Sequence, residues 1–207
     1  MQEILLSLAV ALIAYLLGCI STGLIIAGSS GVNLREVGSK NTGASNVLRV
    51  LGLKKGLVTF LGDFLKAVLA CWMGTLLLPG APFGIPGFGA MLGGLFVVIG
   101  HNWPVFYGFK GGKGVACSAA VVFFVNPLWG VIAIVLCVAV IAITRYISLG
   151  SLTMLVSYAI LMNIAFWGQW FPCAFSIALL LMGLWRHRAN LQRLRQGTEN
   201  KIGQKAK

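Results

Sequence analysis

The sequence predicts an all-α integral membrane protein of seven transmembrane helices, with the N-terminus outside and the C-terminus cytoplasmic. Three observations carry that expectation. Of 207 residues, 58% are hydrophobic and only 10% are charged, whereas a soluble domain carries about 25% charged residues. A chain this apolar cannot cover a water-facing surface, so the bilayer is part of its solvent. The apolar residues also fall in long runs of membrane-spanning scale. Finally, 15 of the 16 Lys and Arg, which stand against 4 Asp and Glu for a formal charge of +12, fall in alternate connections between those runs or in the C-terminal tail. A basic excess of this size also suits nucleic acid, but its placement points to a membrane, and no nucleic-acid partner is expected.

The runs place spans at about 4–28, 56–79, 86–100, 113–125, 127–146, 147–168 and 170–186. Met1-Gln2-Glu3 lacks the positive start of a secretory signal, so the first span is expected to stay in the protein. The third and fourth spans are short for the about 20 residues a helix needs to cross, and they flank the most polar internal loop. The apolar stretch from Val115 to Thr144 is too long for one helix, and Asn126-Pro127 is its natural break. Ile147-Ser148-Leu149-Gly150 offers the next, weaker turn. Six spans is the alternative count.

Charge placement separates the two counts. Arg35, Lys40, Arg49, Lys54 and Lys55 lie between the first two spans, Lys110 and Lys113 between the third and fourth, and Arg145 between the fifth and sixth. The tail carries Arg186, Arg188, Arg193, Arg195, Lys201, Lys205 and Lys207. The opposite connections (Pro79–Ile85, Asn126-Pro127 and Gly168–Pro172) hold neither Lys nor Arg. The positive-inside rule makes the basic side cytoplasmic, and six spans would break the segregation. Part of the basic excess also serves attraction to anionic lipid, worth about 1 kcal/mol per side chain near the surface.

The chain reads as one transmembrane domain, 1–207, ending in a basic amphipathic tail from 187. Cys19, Cys71, Cys117, Cys137 and Cys173 all sit in apolar runs without a CxxC pair, as small core or lipid-facing residues and not as a disulfide or metal framework. Two histidines far apart in sequence and four acids make a poor ligand set, so no metal or organic cofactor is expected. Asp63 and Lys66 lie one turn apart inside the second span. Intramembrane ionisable residues are functional candidates that usually pair, and mutual neutralisation alone would also account for them.

Three polar segments fall on the predicted cytoplasmic side. The first is 37–49, where Ser39 or Asn41 is a candidate helix N-cap, after which Ser45 or Asn46 and Arg49 share a face one turn apart. Lys40, Asn41, Thr42 and Gly43 fill the loop. Backbone N–H groups at a helix start beside Lys and Arg favour a phosphate; a polar turn with an ordinary cap is the plainer reading. The second runs from Gly100-His101-Asn102-Trp103-Pro104 through Lys110-Gly111-Gly112-Lys113-Gly114. Its glycines let backbone approach a ligand, and its lysines precede a helix start. It is not a Walker A loop, since the first glycine position is Tyr107 and the Ser/Thr position is Gly114. A flexible basic loop at the membrane surface is the plainer reading here.

The third segment starts at Arg186-His187-Arg188 and reaches Glu199. A helical wheel puts His187, Asn190, Leu191 and Leu194 on one face, flanked by Arg188 and Arg195 on one side and Arg186 and Arg193 on the other. A His–Asn pair on the buried edge is unusual for a basic amphipathic tail that merely lies on lipid.

Taken together and in order, GSKNTGASNVLR (38–49), GHNWPVFYGFKGGKGVA (100–116) and RHRANLQRLRQGTENK (186–201) resemble the motifs of the PlsY family, the bacterial acyl-phosphate:glycerol-3-phosphate acyltransferases. The resemblance extends to length and seven-span layout. Departures are Lys40, usually Gly in the family, and Ser45 and Cys117, both usually Thr. The resemblance implies acyl transfer from a fatty acyl-phosphate to the 1-hydroxyl of glycerol 3-phosphate, giving 1-acylglycerol 3-phosphate and phosphate at the cytoplasmic face of the bacterial inner membrane. It implies catalytic roles for Ser39, Arg49, His187, Asn190 and Glu199. Substrate contacts are implied for Lys40, Asn41, Thr42, Gly43, Asn46, His101, Lys110, Gly111, Gly112, Lys113, Gly114 and Arg188. The expected partners are acyl-phosphate, glycerol 3-phosphate and a bilayer with anionic lipid, the protein acting as a monomer.

On this reading cations and N–H donors hold the two anions together and stabilise charge on the acyl oxygen and leaving phosphate. An acyl-phosphate is a mixed anhydride, so the glycerol hydroxyl needs no covalent enzyme intermediate, and no activating partner for Cys117 is evident in the sequence. His187 is the natural side-chain base, with a structural role beside Asn190 as its equal alternative and the donor phosphate as the other acceptor, while His101 before Asn-Trp-Pro suits a structural role. The H-x4-D signature is absent, since position 106 is Phe and position 192 is Gln. The competing reading is a transporter for an organic phosphate, which would want polar features on the outside face. The acyltransferase reading requires the three segments to meet in one electropositive vestibule.

Overall fold

The computed structural model describes residues 1–204, so Lys205 and Lys207 of the predicted tail lie outside the described residues. Every regular element among the described residues is helical. The helices are α1 (Gln2–Cys19), α2 (Thr22–Gly28), α3 (Ala44–Leu51), α4 (Leu53–Leu77), α5 (Phe88–Asn102), α6 (Val115–Val125), α7 (Pro127–Thr144), α8 (Ile147–Ala165), α9 (Trp170–Arg186) and α10 (Arg188–Arg195). Five segments are long and apolar enough to cross a membrane: Gln2–Gly28, Leu53–Leu77, Phe88–Tyr107, Pro127–Thr144 and Ile147–Ala165. Two more apolar helices, Val115–Val125 and Trp170–Arg186, are shorter, at 11 and 17 residues. The third predicted span is therefore not short, because α5 continues through His101-Asn102 and a 3₁₀ turn follows at Val105–Tyr107.

The chain divides into two compact units, Met1–Val121 and Val122–Gln204. In the first, α5 packs against α1 and α4 through close backbone approach. A methyl group at Gly18 would run into the Val97 carbonyl and one at Gly100 into the Tyr15 carbonyl; Gly74 and Gly89 face each other in the same way. Small residues at such crossings let helices associate where lipid removes the hydrophobic drive. The outward faces carry Leu5, Leu8 and Leu12 on α1 and Leu57, Leu61 and Leu65 on α4, all exposed. Large apolar side chains on the outward faces and small ones at the crossings suit lipid outside and close helix packing inside.

The first apolar segment is not one continuous helix. Ile20 is extended (φ −68°, ψ 106°) and Ser21 N-caps α2, its Oγ accepting from Leu24 N–H at 3.5 Å. No Pro or Gly pair marks this break in the sequence. Its cause is tertiary, because the Gly18 and Ile20 carbonyls accept from Nζ of Lys66 on α4.

In the second unit α7 and α9 both pack against α8, whose Leu152, Leu155, Tyr158 and Met162 are buried. Asn126-Pro127 breaks the long apolar stretch as predicted. Pro127 takes the first helical position of α7, where its missing N–H is no loss, and Asn126 Oδ1 accepts from Trp129 N–H at 3.2 Å. Residues 147–150 are not a turn but the first turn of α8. The chain instead breaks one step earlier, at Arg145, which caps α7 in the left-handed conformation (φ 64°). Arg145 and Ile202 then exchange hydrogen bonds. Ile202 N–H donates to the Arg145 carbonyl at 2.8 Å, and Arg145 Nη2 donates to the Ile202 carbonyl at 2.9 Å.

The packing of α1 on α5 gives a direct test. Gly100→Val should lower stability by about 1–3 kcal/mol through overpacking. Gly28→Ala, where a new methyl meets nothing within 4 Å, should leave the detergent-solubilised melting midpoint unchanged.

Candidate functional site

The first polar segment is shaped by one buried side chain. Asn46, on the first turn of α3, accepts from Ser39 N–H through Oδ1 at 2.8 Å. Its Nδ2 donates to the carbonyls of Leu34, Val37 and Asn41 at 3.3, 3.1 and 2.9 Å. The helix is N-capped by Gly43, not by Ser39 or Asn41. Asn41 instead turns its Oδ1 onto Gly43 N–H at 3.1 Å, an Asx turn that holds it away from the capping position. Lys40 adopts φ 56°, a left-handed conformation that costs a non-glycine residue about 1–2 kcal/mol. Thr42 is buried against α2, whose Gly23 leaves no room for a side chain beside the Thr42 carbonyl. Ser39 and Arg49 are half-buried and Lys40 is exposed.

The second segment folds back onto the end of α5. Gly112 N–H donates to the His101 carbonyl at 3.0 Å and Gly111 N–H to the Asn102 carbonyl at 3.3 Å. The His101 ring lies directly behind Gly112, where a side chain would collide with Nε2. Gly114, at φ 75°, turns the chain into α6 against the Asn102 amide. Lys110 is exposed, whereas Lys113 and Gly111 are half-buried. Arg35 joins the first segment to the second. Its Nη2 donates to the carbonyls of Tyr107 and Lys110 at 3.2 and 3.0 Å, and its guanidinium lies over the Tyr107 ring. Sequence reasoning used Arg35 only as a topological charge, because nothing local marks a contact more than seventy residues away.

Beneath these loops lies a buried polar cluster. Lys66 Nζ is 2.8 Å from Asp63 Oδ1 and 3.1 Å from His101 Nδ1, and it also donates to the Gly18 and Ile20 carbonyls. Thr22 Oγ1 donates to Asp63 Oδ1 at 3.3 Å, and Cys117 Sγ–H donates to the Asp63 carbonyl at 3.2 Å. The pairing of Asp63 with Lys66 was legible from their spacing. The arrival of His101 and Cys117 was not.

The third segment belongs to the second unit. His187 breaks the helix between α9 and α10 and is buried, its Nδ1–H donating to the Gly183 carbonyl at 2.8 Å. A carbonyl can only accept, so Nδ1 carries the hydrogen, and in the neutral ring basicity resides at Nε2. Asn190 is buried, Leu191 and Leu194 are half-buried, and Arg188 and Arg195 are exposed, as the wheel predicts. Glu199 is the hub. Its Oε1 accepts from Asn190 Nδ2 at 2.6 Å and Ser148 Oγ at 2.9 Å, and its Oε2 accepts from Arg193 Nε at 2.7 Å. Burial pushes the Glu199 carboxyl up, but these donors together hold it below the ordinary carboxylate range. Ser148 went unnoticed in the sequence because it sits within an apolar run.

Chemically, the first unit offers lysines and arginines suited to phosphate, on loops whose Gly43, Gly111 and Gly112 N–H groups are bonded internally, while the second offers a buried imidazole and amide tied to a carboxylate. Comparison with known proteins says what such a set belongs to. Residues 8–197 match the family described as glycerol-3-phosphate acyltransferase. The chain is 45% identical over 196 residues to the glycerol-3-phosphate acyltransferase of Thermoanaerobacter sp. (strain X514), covering 94% of this chain and 95% of the relative. It is 41% identical to that of Clostridioides difficile (strain 630), covering 99% of each. Among solved structures it is similar to PlsY, an integral membrane glycerol 3-phosphate acyltransferase. Against the glycerol 3-phosphate form the TM-score is 0.86 at 38% identity, over 95% of this chain and 96% of the other. Against the lysophosphatidic acid form it is 0.82 at 36% identity, over 95% of both. A family match over residues 8–197, with 41–45% identity to acyltransferases over nearly their whole length, displaces the transporter reading: the chain belongs to the glycerol-3-phosphate acyltransferase family of PlsY.

Proposed function

We propose that this protein transfers a fatty acyl group from acyl-phosphate to the 1-hydroxyl of glycerol 3-phosphate, giving 1-acylglycerol 3-phosphate and inorganic phosphate. The observation that carries the reading is the likeness, over almost the full chain, to an acyltransferase seen both with glycerol 3-phosphate and with lysophosphatidic acid. The donor is what the resemblance to the PlsY motifs implies, and its chemistry is compatible with the site. A mixed anhydride is already activated, so direct attack by the hydroxyl needs no acyl-enzyme, and Cys117, buried and donating to a backbone carbonyl, is not required as a nucleophile.

In this reading Ser39 and Arg49, with Lys40, Asn41, Thr42 and Gly43, meet the acyl-phosphate, and Asn46 acts by holding their loop in shape. His101 and residues 110–114 serve glycerol 3-phosphate. His187 Nε2 accepts the hydroxyl proton as the C–O bond forms and phosphate leaves with the anhydride electron pair. Asn190 and Glu199 hold the α9–α10 junction, and Arg188 adds charge for an anionic group. Cationic and N–H donors supply orientation and stabilise the developing oxyanion.

The proposed setting is the bacterial inner membrane, with seven spans, the N-terminus outside and the basic loops and active site cytoplasmic. The segregation of Lys and Arg supports that orientation. The Arg188 guanidinium, 4.8 Å from the exposed Trp185 ring, forms an aromatic–basic pairing suited to a membrane–water interface. The two short helices, α6 and α9, would complete the seven.

Three outcomes are expected. Purified protein in detergent should release phosphate stoichiometrically with acylation when given acyl-phosphate and glycerol 3-phosphate; turnover with acyl-CoA or acyl-carrier protein instead would overturn the donor assignment. His187→Ala should lower kcat by about 100-fold or more at saturating substrates, and near-normal turnover would move the proton to the donor phosphate. Because the folded Glu199 carboxyl titrates below its unfolded value, its contribution to stability is full above about pH 4.3 and is lost as pH falls through the lower folded value. The melting-point gap between wild type and Glu199→Gln should therefore stay constant near neutrality and shrink in acid.

A further inference from the structure

Asp63 and Lys66 have no part in the mechanism above, yet they anchor a network drawn from five helices. An ion pair that only neutralised itself would need no partners beyond α4, where the two sit at i, i+3. Instead, Lys66 Nζ donates to the Gly18 and Ile20 carbonyls at the α1–α2 break and to Asp63 Oδ1, and it lies 3.1 Å from His101 Nδ1, which is itself 3.6 Å from Asp63 Oδ1. Thr22 on α2 and Cys117 on α6 close the ring around Asp63. The donor atoms of Asp63, His101 and Cys117 all lie within 4.8 Å of one another, a spacing that would suit a metal ion. The Lys66 ammonium already stands 2.8 Å from the first and 3.1 Å from the second, so the protein supplies its own cation there.

The network reaches the glycine loop through His101. One ring nitrogen, Nδ1, faces Lys66; the other, Nε2, lies against Gly112, whose N–H is held by the His101 carbonyl at 3.0 Å. A change in the ring's seat is transmitted directly to Gly111-Gly112, since no side chain separates them.

We propose that Lys66 and Asp63 are positioning residues for the acyl acceptor: from within the membrane-spanning bundle they fix the His101 ring, and through it the Gly111–Gly112 backbone that meets glycerol 3-phosphate. The proposal rests on the assignment of residues 110–114 to that substrate.

The test is the neutral double variant Asp63→Asn/Lys66→Met, purified in detergent and assayed by phosphate release with each substrate varied in turn. The expected result is a KM for glycerol 3-phosphate raised at least about tenfold, with the KM for acyl-phosphate within about twofold of wild type, because misplacing one binding loop penalises only its own ligand. A merely structural role would lower the amount of active enzyme, and so apparent kcat, without moving either KM. A folded double variant with a wild-type KM for glycerol 3-phosphate overturns the proposal, leaving the pair as simple neutralisation. Should that variant fail to give monodisperse protein, Lys66→Arg keeps the charge while displacing the donors. The same selective rise is then required, and its absence overturns the proposal equally. A Lys110→Ala/Lys113→Ala variant with a wild-type KM for glycerol 3-phosphate would instead refute the underlying assignment, a separate result read before the Asp63 and Lys66 variants are made.

Discussion

A lysine ammonium buried in a membrane bundle is tolerable only if every one of its hydrogens is met. Lys66 meets this condition by drawing acceptors from several helices. Two of them are backbone carbonyls that an unbroken α1 would have kept for itself. The same ammonium holds Asp63 and faces His101, so the break in the first helix and the seat of α5's last turn are referred to one atom, while the start of α6 is tied to the Asp63 carbonyl through Cys117. The close glycine crossings of α1 with α5 and of α4 with α5 bring the backbones near enough for one side chain to reach them all.

Each polar segment repeats this logic on a smaller scale. In the first, a single amide, Asn46, takes one N–H and three carbonyls of the loop around it. In the second, His101 supplies both the carbonyl that holds Gly112 and the ring that backs it. In the third, the Glu199 carboxylate collects Ser148, Asn190 and Arg193. Loops organised by a buried polar residue present their remaining groups in fixed directions, which is what electrostatic stabilisation of a developing charge demands. The strain at Lys40, and the left-handed Phe109 (φ 60°) at the head of the glycine loop, is affordable because that organisation over-determines the backbone.

How much of this was legible in the sequence depended on whether the cause was local. Asn126-Pro127 announces a helix break by its own chemistry, and the structure breaks there. The buried face of α10 follows from spacing alone, as does the pairing of Asp63 with Lys66. The break at Ile20 was invisible because its cause, Lys66, is 46 residues away. The cap of α3 was misjudged because Asn41 has two outlets for its oxygen, and the Asx turn onto Gly43 prevails. Arg35 and Ser148 acquire meaning only once the chain has folded over them. The resemblance of the three motifs to one family supplied what spacing could not, the substrates, while the contacts that shape the motifs come from residues outside them.

The interrupted first segment has a consequence for the variant that lacks the ammonium. In Lys66→Met nothing would receive the Gly18 and Ile20 carbonyls, and hydrocarbon offers no donor in its place. A continuous rod, with every amide bonded internally, then becomes the favoured form of Gln2–Gly28. The kink in the native bundle is in this sense a trade of secondary for tertiary hydrogen bonds.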